Sequence, residues 1–314
     1  MRSYEKIQHQ KTAPSKLSNV DGATGMEKNE LKTKIYAKVD ELPTLPAVLP
    51  KLMGLMENEK SSAGQVADTI FKDPALTSKI LKVANSAYYG FSQEISTLNK
   101  AVPLLGYNMV RSLALSIGVI DSLPYGKNSA SFSREGLWVH GLAVATVMHE
   151  LGKRFGEREN NDQFFVVGLL HDIGKLVLDL FFSELFHKAL EEAHSQENIA
   201  LYEAENKIIG FDHGEVGGML LTRWQFPEAI TKPVTFHHHT VLPDDVYSAD
   251  VAMLRIADAL PQELGLGGGG NPVIPEIFEA DLKRLKMTEQ DLQDMRSYLI
   301  SSKDGIHALF SSMN

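Results

Sequence analysis

Apolar residues recur along this chain at three- and four-residue spacings from Leu31 onward, and residues 31–120 never show the period-two alternation of a strand. That pattern predicts helices. Leu31, Ile35, Val39 and Leu42 share one face before the prolines of LPTLPAVLP end the first helix. Pro50 is expected to open a second, KLMGLMENE, with Leu52, Leu55 and Met56 as its apolar stripe. Ser61-Ser62 offers an N-cap to AGQVADTIFK. Asp73-Pro74 starts ALTSKILKVANS with a capping carboxylate and a proline at the first helical position. AYYGFSQEIS reads as a loop, and Gly106 parts two further helices over residues 98–105 and 109–120.

The same periodicity continues in the second half, after a turn-rich stretch at residues 122–133 that marks a boundary between two lobes. A helix is expected over residues 135–153, with Ser133 as a candidate N-cap, and charged GKRFGERENND is expected as a loop. Residues 164–178, FFVVGLLHDIGKLVL, read as a single buried helix with His171-Asp172 in its middle. Helices are also expected over 183–198, 201–209, from His213 to a stop at Pro227, 228–239 and 248–260. Gly265 to Gly270 reads as a flexible linker before two more helices in residues 275–309. The fold class is therefore all-α with two lobes: a loosely attached or disordered tail at 1–30, a short-helix lobe at 31–125, a second lobe at 126–262, and a linker with C-terminal helices at 263–314.

Composition narrows the chemistry. The 314 residues are 43% hydrophobic and 23% charged, which suits a soluble globular protein. Zero cysteines exclude thiolate metal sites, disulfides and cysteine nucleophiles, so any metal must be held by His, Asp or Glu. Cysteine usage and the lack of a secretory signal or long apolar run lead to the expectation of a cytoplasmic protein with no membrane partner. Of the net charge of −9, residues 1–40 contribute +3 (eight Lys/Arg, five Asp/Glu), leaving −12 for residues 41–314. So acidic a body repels a phosphate backbone, and no nucleic-acid partner is expected.

An adjacent imidazole and carboxylate inside an apolar helix lose hydration and need a partner or a metal. Asp258, in LRIADAL, poses the same problem, although capping or pairing with Arg255 would also answer it. Lys175 shares a helical face with His171 and Asp172, as a salt-bridge partner or a phosphate-binding cation. His140 on an amphipathic helix, His213 at a helix start and the run His237-His238-His239 are each ambiguous alone. Together they describe a two-ion site of iron, manganese or zinc. His140, His171, Asp172 and Asp258 serve one ion; His213, His237 and His238 serve the other and share Asp172.

At these residues the chain resembles the HD phosphohydrolase superfamily, and more specifically the HDOD domain. The resemblance rests on LPTLPAVLPKLM, DPALTSKILKVANSAYYG, STLNKAVPLLGYNMVRSLALSIGV, GLLHDIGKLVL and DHGEVGGMLLTRWQFPEAI with the following HH, over about residues 40–260. It implies an all-helical bacterial signalling module related to HD-GYP cyclic-di-GMP phosphodiesterases. Asp172 and Lys175 would be the catalytic candidates, and a signalling protein, nucleotide or cyclic dinucleotide the partner. His239 stands where those phosphodiesterases have Glu, and no Gly-Tyr-Pro motif follows. Glu203 or Glu205 is read as an extra or supporting ligand, or as plain helix surface. Three readings stay open: a regulatory module, a metal-dependent phosphohydrolase and a structural scaffold.

Overall fold

The computed structural model describes residues 25–57, 61–123, 132–156, 163–195, 199–239 and 246–313; residues 1–24 and most of the stretch 122–133 expected as a boundary lie outside these. Every regular element among the described residues is helical. The first lobe comprises α1 (Gly25–Glu41), α2 (Val48–Glu57), α3 (Ala63–Phe71), α4 (Pro74–Ala84), α5 (Leu98–Leu105) and α6 (Tyr107–Ser122). The second comprises α7 (Arg134–Phe155), α8 (Gln163–Leu170), α9 (Ile173–Phe181), α10 (Ser183–Ala193), α11 (Leu201–Ile208), α12 (His213–Arg223), α13 (Glu228–Phe236) and α14 (Ser248–Glu263). Two C-terminal helices follow, α15 (Glu279–Leu285) and α16 (Glu289–Met313).

The local start signals act as read. Ser62 caps α3 in a reciprocal capping box with Gln65, Asp73 Oδ1 accepts from the Leu76 amide at 3.0 Å, and Ser133 Oγ accepts from Gly136 at 3.0 Å. Several boundaries differ. The first helix begins at Gly25, inside the stretch expected to be a tail. The second begins at Val48, which puts Pro50 in its third position, still within the turn whose amides lack helical partners. α7 runs on to Phe155, so GKRF of the expected loop is helix.

One continuous apolar core runs through both lobes. α6 is buried from Val110 to Val119 and rests on α8, whose residues from Phe164 to Leu170 are all buried. α16 packs on both α4 and α7 and so ties the lobes together, while α1 docks on α12, where Arg223 Nε donates to Asp40 at 2.8 Å. Two glycines set the spacing around the future site. A Cβ on Gly168 would lie 2.6 Å from Ala145 Cα, so only glycine lets α8 lie this close to α7. A Cβ on Gly174 would lie 1.9 Å from the His213 carbonyl oxygen, which is how α9 meets the start of α12. No single helix among the described residues is long and apolar enough to cross a membrane; α5 and α6 reach that apolarity only jointly, and they are bent by 114°.

Candidate metal centre

Residues 164–178 are not one helix. α8 ends at Leu170 and α9 begins at Ile173, with His171 and Asp172 in the turn between. The His171 ring explains part of the break, since its Nδ1 donates to the Gly168 carbonyl at 2.7 Å, among the last carbonyls of α8 that lack intrahelical donors. His237 repeats the device at the end of α13, with Nδ1 donating to Val234 O at 2.7 Å. Both rings therefore turn a buried Nε2 without any hydrogen-bond partner into the same space, their centroids 5.5 Å apart.

Asp172 lies between two groups of ligand atoms. Its Oδ2 is 3.4 Å from His171 Nε2 and 4.0 Å from His140 Nε2, while its Oδ1 is 3.0 Å from His213 Nε2. His140, His171 and Asp172 form one cluster of converging ligand atoms, and His213, His237 and His238 form another. Asp258 joins the first, with Oδ1 2.9 Å from His140 Nε2 and 3.5 Å from His171 Nε2. It pairs with His140 and Gln262 rather than with Arg255, which instead donates to His237 O at 3.0 Å and lies 3.3 Å from Asp281. All seven residues named from the sequence thus meet, and Lys175 Nζ donates to Asp172 Oδ2 at 2.7 Å. His239 stays outside, its ring against Phe236.

Burial opposes ionisation of both aspartates, but the charges around them win: His171, Lys175 and His213 hold Asp172, and His140 and His171 hold Asp258, well below the usual carboxylate range. Burial, reinforced by neighbouring imidazoles, pushes His237 down to about 3 and His238 well below its ordinary value, which favours neutral rings; His237 Nε2 has no partner, while His238 Nε2 lies 2.8 Å from His213 Nε2. His213 moves up to about 9: burial opposes this, and the Glu205 carboxylate overcomes it. Two anionic carboxylates beside unpartnered imidazole nitrogens are the donor set a divalent cation requires, and the residues fit one.

Glu205 corrects the helix-surface reading. It is fully buried, and its Oε2 accepts from both the amide and the ring Nδ1 of His213, whereas Glu203 is exposed and bonds the Ala200 amide at the start of α11. Of the two readings open for Glu203 or Glu205, the supporting role thus falls to Glu205 and the surface role to Glu203. Tyr202 was missed; its ring stacks on His238 at 4.5 Å between centroids.

The largest correction concerns the expected linker. Leu266 is buried, Gly268 N donates to Gly136 O at 2.9 Å, and a Cβ on Gly267 would lie 2.4 Å from His140 N. A Cβ on Gly269 would meet Asp172 Oδ2 at 2.8 Å and Lys175 Nζ at 2.9 Å. This strap lies directly on the site because it has no side chains to keep it away. A cavity of about 340 Å³ opens onto His237, His238 and Asp258, walled by Tyr202, Arg255 and Phe278.

The HDOD domain family matches residues 42–240. An HDOD domain protein of unknown function from Geobacter sulfurreducens shares 26% identity and a TM-score of 0.77, covering 92% of this chain and 99% of its own. A candidate phosphohydrolase from Shewanella amazonensis SB2B shares the fold, with a TM-score of 0.68 and 24% identity over 89% of this chain and 98% of its own. An uncharacterized protein of Treponema pallidum (strain Nichols) is 25% identical over 229 residues, or 73% of this chain; the chain spans 44% of that relative's length.

Proposed function

This chain belongs to the HDOD family, and from that premise we propose that it is a regulatory signalling module retaining a site for two divalent metal ions. The observation that carries the reading is the pair of buried, unpartnered nitrogens, His171 Nε2 and His237 Nε2, beside two ionised aspartates. A buried polar atom left without a partner costs roughly 1–3 kcal/mol unless something engages it. One ion would be held by His140, His171, Asp172 and Asp258, the other by His213, His237 and His238 with Asp172 shared. Iron, manganese and zinc all accept such a set. The glycine strap supports a regulatory role, because Gly269 covers Asp172 on the side of the first cluster. Of the two roles read for Lys175, its 2.7 Å contact supports an ion pair that positions Asp172. The output partner is a second signalling protein or a nucleotide ligand.

The cavity beside His237 and His238 favours a second reading, hydrolysis of a nucleotide or cyclic-dinucleotide phosphoester. Divalent ions would neutralise phosphoryl oxygens and lower the pKa of water there. Asp172 and Lys175 would then be the catalytic pair of this chain, with Glu205 orienting His213 as a ligand through Nε2.

The test is the metal content of full-length protein purified without a chelating tag, beside Asp172→Ala. About two equivalents of metal in the wild type, lost in the variant, support the site. Metal-free wild type that stays folded and cannot be reloaded overturns it. Turnover of phosphodiester substrates by loaded wild type but not by Asp172→Ala would select the enzyme over the regulatory module.

A further inference from the structure

A second group of polar side chains without partners lies away from the histidine cluster, where α16 clamps the first lobe onto α7. A cavity of about 500 Å³ is lined there by Tyr88 and Tyr89 of the turn after α4, by His149 and Lys153 of α7, and by Tyr298 and Asp304 of α16, among others. His149 and Lys153 are four residues apart and share a helical face. The sequence stretch AYYG, read only as a loop, supplies the two tyrosines.

Accounting for each polar group shows what is left over. The Thr146 hydroxyl is committed to Leu142 O at 2.8 Å, so the Tyr88 hydroxyl, 3.2 Å away, donates to Thr146 Oγ1. Ser301 and Ser302 Oγ both donate to Tyr298 O, at 2.7 and 2.8 Å, which leaves their oxygens as acceptors. Tyr89 Oη and His149 Nδ1 are buried and have no partner. Burial holds the Tyr89 phenol well above its ordinary value, so it keeps its proton. Lys153, exposed at the cavity mouth, pairs with Glu150 at 3.8 Å, too far for a hydrogen bond, so its ammonium protons face solvent and the cavity. Donors therefore gather on the tyrosine and α7 side, and acceptors on the α16 side.

We propose that this cavity binds a small metabolite bearing a carboxylate or phosphate group. Tyr89, His149 and Lys153 donate to the oxyanion; Ser301, Ser302 and Asp304 accept from the ligand's hydroxyl or amino groups. Uncommitted donors beside an ammonium select an anion over a neutral solute, because charge-assisted hydrogen bonds are roughly twice as strong as neutral ones. The acidic Asp304 on the opposite wall selects against a bare polyanion and for a ligand that also carries donors. An occupant would join the turn after α4, α7 and α16, and α7 also carries His140 nine residues earlier, about 14 Å along the helix.

The experiment is thermal unfolding of the full chain titrated with sodium phosphate and with glycerol 3-phosphate or glycerate at constant ionic strength, against sodium chloride. Wild type should show a saturable rise in Tm, larger for the two hydroxylated anions than for phosphate. Lys153→Met should weaken that apparent affinity at least tenfold. Tyr89→Phe, which keeps the ring and removes only the hydroxyl, should weaken it severalfold. No saturable rise, or a rise that both variants reproduce, overturns the proposal, the latter because the anion would then sit elsewhere.

Discussion

Glu205 holds His213 twice, one carboxylate oxygen accepting from the His213 amide at 2.8 Å and from its ring Nδ1 at 2.6 Å. That grip fixes the ring orientation and leaves Nε2 facing Asp172 at 3.0 Å. Such supporting carboxylates typically govern metal affinity by 10–100-fold when removed. Glu205→Gln, nearly isosteric and uncharged, should keep the fold and lose about that factor in affinity for zinc or manganese. Competition with a chromophoric chelator measures it, and unchanged affinity would show that the grip does not matter to the metal.

The strap yields a contrast between neighbours. Gly267 has φ +72° and no room for a Cβ beside His140 N, whereas a Cβ on Gly268 would meet nothing within 4 Å. Gly267→Ala should therefore destabilise the protein by roughly 1–3 kcal/mol, from strain and overpacking together. Gly268→Ala should stay near neutral. Urea midpoints of the two variants test this directly, and equal midpoints would mean that the strap is free to lift.

Lys175 and Asp172 form a buried ion pair, and breaking such a pair costs up to about 3–5 kcal/mol, reduced here because His213 stays 3.0 Å from Asp172. Lys175→Met should show that loss in chelator-treated protein. Added zinc should recover most of it, since the cation replaces the ammonium as the partner of Asp172. Denaturation with and without metal distinguishes the two states; a loss unaffected by metal would rule out that exchange of partners.

His149 gives stability a pH dependence outside the metal centre. Burial, with Lys153 adding to it, pushes its pKa from 6.5 down to about 4 in the folded chain. The unfolded chain therefore takes up a proton that the folded chain refuses as pH falls below 6.5, and stability falls between 6.5 and 4 with no further loss from this group below that. His149→Asn should flatten that part of the profile while leaving values above pH 7 nearly unchanged. Guanidinium midpoints collected across that range provide the measurement.

Much was legible along the chain because it depends on near neighbours. Helix starts at Ser62, Asp73 and Ser133 are local hydrogen bonds between a side chain and an amide three residues on, and a linear reading finds them. Buried histidine and aspartate in apolar surroundings pointed to a site, and the resemblance to HDOD proteins named its members. The role of Glu205 stayed open between ligand support and helix surface, and the glycine strap was read as a linker, for the opposite reason. A carboxylate eight residues from its histidine and glycines 97 residues beyond Asp172 acquire meaning only through packing.

The sequence by itself determined an all-helical chain, its family, and the residues able to bind a divalent cation, since periodicity, capping and donor chemistry are properties of residue types and their spacing. Tertiary structure alone decided that α8 breaks at His171, that Asp172 turns one oxygen to each cluster, and that a glycine-rich stretch lies against Asp172 while a cavity opens onto His237 and His238. These outcomes follow from close packing between helices distant in sequence, where the absence of a single methyl group at Gly168 or Gly174 sets the distance of approach.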